Sequence, residues 1–159
     1  MKNSMTLFGC GPRLALMCLP YVILSLSVMF TYPGFLDLKF LDNIVVKVIG
    51  YAWGGLGIIF WTWSAYFFLK YFRPGELITA GPFALSRNPI YTSIIVFIVP
   101  ALGLIFHSGL ILSIAVVLYI GFKLTIHGEV IVLRRIFDQK YDEYEKRVNE
   151  MIPFPRFRS

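Results

Sequence analysis

Four long apolar stretches, separated by short polar segments, dominate the pattern of the chain. Each approaches the roughly 20 residues that a helix needs to cross a bilayer. We place these spans at about 14–30, 44–69, 90–106 and 110–127. Because only residues 107–109 separate the last two, the pattern predicts an antiparallel helical hairpin. Pro100 is expected to kink the third span.

The apolar pattern changes after the fourth span. Apolar and aromatic residues recur here at steps of four, four, three and four, which predicts that they lie on one face of a helix. They are Leu133, Phe137, Tyr141, Tyr144 and Val148. Charged side chains fill most of the positions between them. We therefore predict an amphipathic cytoplasmic helix over about 130–150, ended by Pro153 and able to cover the end of the fourth span.

Composition supports a membrane protein. Of the 159 residues, 57% are hydrophobic and 15% are charged, whereas soluble domains carry about 25% charged residues. The sequence thus predicts an all-α polytopic protein with 1–159 as a single membrane domain. The net charge of +6 is spread between apolar runs, so we expect contact with membrane lipid and no nucleic acid.

The cations predict an orientation. One side of the four spans carries most of them: Lys2, Arg13, Lys70, Arg73, Arg87, Arg134, Arg135 and the basic tail. The positive-inside rule then puts both termini and the 70–89 loop in the cytoplasm. The first span lacks a small-x-small cleavage site and is interpreted as a retained span.

Two small-residue features favour a structural interpretation. Gly50 and Gly54 form a GxxxG pair in the second span, which we assign to packing within the chain. Cys10 and Cys18 lack the spacing of a metal site, so none is predicted.

The segment TAGPFALSRNPIYTS, residues 79–93, is the main polar feature before the third span. Pro89 suits a first helical turn, and a helix N-terminus attracts anionic groups. The hairpin should bring Asn88 close to Glu129, at the cytoplasmic end of the fourth span. Arg87 adds a cation, so the pattern indicates a pocket with cation-binding and anion-binding ends. Considered one at a time, these residues also have ordinary structural explanations. Arg87 could be an anchor that sets the topology, and Glu129 could form an ion pair with Arg87 or Lys123.

Two segments carry a family resemblance: LITAGPFALSRNPIY, and EVIVLRRIFDQKYDEYEKRV followed by Ile152-Pro153. Over about residues 50–155 they resemble the isoprenylcysteine carboxyl methyltransferase and phospholipid methyltransferase superfamily. The resemblance implies an integral membrane enzyme that binds S-adenosylmethionine at the cytoplasmic end of its helices, under the C-terminal segment. It implies cofactor contacts at Glu76, Leu77, Ile78, Phe83, Asn88, Pro89, Tyr91 and Glu129.

Methyl transfer from a sulfonium requires positioning above all. A carboxylate acceptor is already ionised, and Arg87 would orient it, which makes Arg87 and Glu129 the expected catalytic residues. An amine acceptor must lose a proton, for which His127 or Glu129 are the candidates.

Three positions depart from the family pattern. Val130 replaces the second of two paired glutamates, Thr125 stands where relatives carry a substrate-contacting arginine, and Asp138 replaces a glycine. The cofactor inference is therefore better supported than the substrate inference. We expect a lipophilic membrane acceptor, most like carboxyl methylation of an isoprenylcysteine. The alternatives are a phospholipid amine N-methyltransferase, a non-catalytic protein with this fold and a nicotinamide-dependent sterol reductase; the oligomeric state is left open.

Overall fold

The computed structural model describes residues 10–73 and 76–153 and is built from helices. The five main ones are α1 (Gly11–Thr31), α2 (Ile44–Tyr71), α3 (Pro89–Ile105), α4 (Gly109–Phe137) and α5 (Gln139–Arg147). Short 3-10 turns occupy Lys39–Leu41 and Gly81–Ala84. The all-α prediction is confirmed. Lys2, one of the cations that predict the orientation, lies outside the described residues, as do residues 74–75 of the 70–89 loop. We call the part of this loop from Glu76 to Asn88 the polar loop.

Among the described residues, three helices are long and apolar enough to cross a membrane: α1, α2 and α4. The third predicted span, α3, is also apolar but shorter. A count of four crossings therefore remains a prediction that depends on α3.

The single cytoplasmic helix predicted over about 130–150 is interrupted in the structure. α4 continues without a break to Phe137, and α5 begins only at Gln139. Between them Asp138 has φ 44°, a left-handed conformation that glycine adopts without strain. The periodicity did not reveal this break because Phe137 and Tyr141, on either side of it, are both buried in one cluster.

α3 changes its winding near Pro100. Residues Ser93–Ile98 form a π-helical segment, and Val99–Ile105 return to α-helix. Pro100 has no amide hydrogen to donate to the carbonyl of Val96. The indole N–H of Trp53 donates to that carbonyl instead, at 3.0 Å, so a neighbouring helix satisfies the group that Pro100 leaves free.

The helices pack in the order α1, α4, α3, α2. Glycines let α2 approach α3 closely: a Cβ atom on Gly50 would lie 2.9 Å from Ile105 Cγ1, and one on Gly57 2.6 Å from Phe97 Cβ. A Cβ atom on Gly54 would lie 3.2 Å from Ala101 Cβ, so both members of the predicted glycine pair pack within the chain. Since α1 and α2 lie at opposite ends of this order, a space is left between the start of α1, the end of α2 and the starts of α3 and α5.

Candidate active site

A cavity of about 900 Å³ occupies this space. Its walls come from the start of α1, the end of α2, the loop before α3, the first turn of α3, the second half of α4 and the buried face of α5. The predicted cofactor contacts and Arg87 all line it: Glu76, Leu77, Ile78, Phe83, Arg87, Asn88, Pro89, Tyr91 and Glu129. The hairpin thus brings Asn88 and Glu129 to one cavity, as predicted from topology. His127 is exposed outside this lining, and its Nδ1 lies 3.0 Å from the Lys123 carbonyl oxygen.

The loop before α3 is tied to the C-terminal segment. The Arg87 amide donates to the Asn149 carbonyl at 2.9 Å, and the hydroxyl of buried Ser86 donates to the Glu150 carbonyl at 3.1 Å. The side-chain amide of Asn88 donates to the same Glu150 carbonyl at 3.3 Å. Asn88 therefore bonds the loop before α3 to the segment that follows α5, and Asn88 itself lines the cavity.

Arg87 is almost fully buried, with 7% of its side chain exposed. Its Nη1 donates to Glu145 at 2.5 Å and to the Tyr141 hydroxyl at 3.3 Å. Its buried Nε has no hydrogen-bond partner among the described residues. A buried N–H without a partner is costly, so the Arg87 Nε is suited to an acceptor atom of a ligand in the cavity.

Glu129 is half-buried on α4. One carboxylate oxygen accepts the backbone N–H of Cys10, at the start of α1, at 2.9 Å. Within the described part of the chain Glu129 makes no ion pair, because Arg87 pairs with Glu145 and Lys123 with Glu150. The alternative explanation of Glu129, an ion pair with Arg87 or Lys123, is not found among the described residues. The charge of Glu129 is therefore available to a cationic group.

α5 closes one side of the cavity. The Tyr144 hydroxyl donates to the Phe83 carbonyl at 2.6 Å, and Tyr141, Tyr144 and Val148 pack in a buried cluster against Leu77. Burial raises the pKa of both tyrosine phenols, so they remain neutral hydrogen-bond donors at physiological pH. The helix is thereby held on the polar loop by packing and a hydrogen bond.

A family model for phospholipid methyltransferases matches residues 38–140, which is well over half of the chain and includes the polar loop and Glu129. The chain belongs to the phospholipid methyltransferase family. The sequence resemblance is confirmed, and the protein is a methyltransferase enzyme. Its family and the three long apolar helices of the described residues fit an integral membrane protein, and family membership implies S-adenosylmethionine as the methyl donor. Comparisons with curated proteins and with solved structures found no match.

Sequence reasoning missed several cavity residues of this methyltransferase. From α1 these are Cys10, Gly11, Pro12 and Arg13, and from the end of α2 they are Trp61, Ala65, Phe68, Leu69 and Phe72. The aromatic density near the end of α2 was a usable signal. Nothing local marks the α1 residues, because their position depends on packing against α4, more than a hundred residues later.

Proposed function

We propose that this protein transfers a methyl group from S-adenosylmethionine to the amine of a membrane phospholipid. The observation that carries the proposal is that the polar loop, Glu129 and α5 line one cavity in a chain of this family. Because residues 10–13, Tyr141 and Tyr144 reach the same cavity, we treat the chain as one membrane domain. The cation pattern favours a cytoplasmic opening, and hence access to a soluble methyl donor.

The residues of the cavity suit the methyl donor. A volume of about 900 Å³ is within the usual range for small-molecule sites. Glu129 would hold the cationic part of S-adenosylmethionine, and Leu77, Ile78, Phe83, Asn88, Pro89 and Tyr91 would contact the rest. When bound, this cofactor supplies an electrophilic methyl group on a sulfonium centre.

The side chains then have two tasks. The mainly apolar lining excludes water and strengthens the electrostatic effect of Glu129 on nearby positive charge. An amine acceptor must also lose a proton, and Glu129 lines the cavity whereas His127 does not. We therefore assign proton acceptance to the Glu129 carboxylate.

A second candidate is carboxyl methylation of an isoprenylcysteine-type acceptor. It is favoured by Arg87, whose buried Nε has no partner in the described part of the chain. An arginine N–H donates well to a carboxylate. Such an acceptor needs no base, so Glu129 would then serve the cofactor alone.

Binding of S-adenosylhomocysteine to the detergent-purified protein, measured by calorimetry, tests the cofactor site. We expect Glu129→Ala to weaken binding about ten-fold or more, the effect of losing a charged contact of roughly 1.5 kcal/mol. Glu143→Ala, which removes an exposed carboxylate outside the cavity, should bind as the native chain does. No binding by the folded native protein with lipid restored would refute the proposal.

Transfer of a labelled methyl group separates the two acceptors. Native protein is incubated with vesicles that contain an ethanolamine phospholipid or a prenylated cysteine. An N-methyl product resists alkali, whereas a methyl ester releases methanol. Alkali-labile product alone would favour the second candidate over the first.

A further inference from the structure

The start of α1 contributes to the cavity although α1 lies outside the segment matched by the family model. α1 lies very close to α4, since a Cβ atom on Gly121 would be 2.5 Å from Cys18 Sγ and 3.1 Å from Leu14 Cδ1. The hydrogen bond from the Cys10 amide to Glu129 fixes the first turn of α1 at this height. Residues of that turn therefore have a defined position beside Glu129.

Arg13 belongs to this turn and lines the cavity. Its Nη1 lies 3.8 Å from the position of a Cβ atom on Gly128, the residue before Glu129. The Arg13 guanidinium and the Glu129 carboxylate do not form an ion pair. Among residues 10–73 and 76–153, Arg13 makes no ion pair with any residue. The other arginine of the lining, Arg87, is committed to Glu145 through Nη1.

We propose that Arg13 binds the phosphate of an amino phospholipid whose amine lies beside Glu129, an inference that rests on the proposed function. In an ethanolamine phospholipid only two carbons separate the amine from the phosphodiester. A cation that recognises the phosphate must therefore lie close to the group that receives the methyl. Arg13 suits this requirement because it lines the same cavity as Glu129 and its Nη1 lies near Gly128, the neighbour of Glu129. Its guanidinium can hold two phosphate oxygens at once.

The apolar wall suits the remainder of the same ligand. Trp61, Leu69 and Phe72 of α2 line the cavity, and Leu69 also belongs to the exposed apolar surface. The acyl chains of a lipid whose headgroup is bound in the cavity can thus extend along this apolar wall. This distinguishes a lipid phosphate from a soluble phosphate ester, which would leave the wall unused.

The ordinary alternative for Arg13 is a general anchor to lipid headgroups at a helix end. Arg73 offers the matched control, because it is an exposed arginine close to the end of α2 and does not line the cavity. An anchoring role predicts similar effects of Arg13→Gln and Arg73→Gln. Headgroup recognition predicts an effect of Arg13→Gln alone.

The test is calorimetric titration of the detergent-purified full chain, saturated with S-adenosylhomocysteine, with a short-chain ethanolamine phospholipid. We expect Arg13→Gln to raise the Kd about ten-fold, as a lost charged hydrogen bond predicts, and Arg13→Lys to raise it less. Arg73→Gln should match the native chain. A short-chain primary amine without phosphate should bind the native protein and Arg13→Gln equally, and free phosphoethanolamine should bind the native protein at least about ten-fold more weakly than the lipid.

Each other outcome overturns the inference. Equal affinity of native and Arg13→Gln proteins for the phospholipid would exclude a role for Arg13, as would equal losses for the phosphate-free amine. Tight binding of free phosphoethanolamine would indicate a soluble ligand. Binding of S-adenosylhomocysteine without any binding of the phospholipid would refute this inference and leave the cofactor site standing. If Arg13→Gln loses its helical circular dichroism, the Kd of Arg13→Lys for the phospholipid is compared with that of the native chain instead. An unchanged Kd in Arg13→Lys would then overturn the inference.

Discussion

At the scale of single residues, Glu145 joins three parts of the molecule. It accepts hydrogen bonds from Arg87 of the polar loop and from Arg134 of α4, while its own backbone belongs to α5. Partial burial opposes its ionisation, but these hydrogen bonds outweigh burial and hold the pKa of the Glu145 carboxyl below its usual value. Ionised Glu145 therefore stabilises the closed arrangement of α5 over the cavity.

This lowered pKa gives a pH-dependent stability. Because the folded pKa lies below the unfolded value of about 4.3, the contribution of Glu145 is complete above that pH and is lost as the pH falls through the folded pKa. We expect the Tm of the native chain to fall more steeply below about pH 4.3 than that of Glu145→Gln. Thermal unfolding in detergent measures this, with Glu143→Gln as the exposed control on the same helix. Parallel pH curves for native and Glu145→Gln proteins would contradict the assignment.

Single residues also mark how far the sequence could predict the site. Pro89 and Glu129 were predictable because a proline at a helix start and an acid at a span end carry local signals. The bond of Asn88 to Glu150, the pairing of Arg87 with Glu145 and the bond of Cys10 to Glu129 were not. Each joins residues more than 50 positions apart, and the pattern of a single segment holds no information about such a partner.

At the scale of secondary-structure elements, local patterns located the helices better than their ends. Runs of apolar residues located α1, α2 and α4. The break at Asp138 was not predicted, because the apolar repeat of a helix continues across it. The π-helical segment of α3 likewise has no periodic signature, although Pro100 predicted an irregularity nearby. Helix ends depend on a few backbone torsions that apolar periodicity does not encode.

The contact between α2 and α3 gives a prediction at this scale. A Cβ atom on Gly57 would lie 2.6 Å from Phe97 Cβ and 3.3 Å from the Ile98 backbone nitrogen, whereas one on Gly55 would contact nothing within 4 Å. We expect Gly57→Ala to destabilise the protein by about 1–3 kcal/mol through overpacking. Gly55→Ala should be neutral or slightly stabilising, because alanine favours helix. Thermal unfolding of both variants in one detergent provides the comparison, and equal melting temperatures would show that α2 and α3 do not meet closely.

At the scale of the whole molecule, the connections determine whether α3 crosses the membrane. The turn between α3 and α4 is bonded to the connection between α1 and α2: the Leu38 amide donates to the His107 carbonyl at 2.7 Å, and the Gly109 amide to the Leu36 carbonyl at 2.8 Å. These two connections therefore lie at the same side of the bundle. If α1 and α2 each cross, the chain must return through α3 to reach His107, despite the shortness of that helix.

Labelling of single cysteines tests this topology. In a Cys10→Ala, Cys18→Ala background, the exposed positions Phe106 and Arg73 are replaced in turn by cysteine, and sealed vesicles of known orientation are treated with a membrane-impermeant maleimide. Four crossings with cytoplasmic termini predict that Phe106→Cys reacts only from the outer side and Arg73→Cys only from the cytoplasmic side. Reaction of both from one side would mean that α3 does not cross. Reaction of Phe106→Cys from the cytoplasmic side and of Arg73→Cys from the outer side would mean that the orientation is inverted. The cavity would then not open to the cytoplasm, and a soluble methyl donor there would not have the expected access to it.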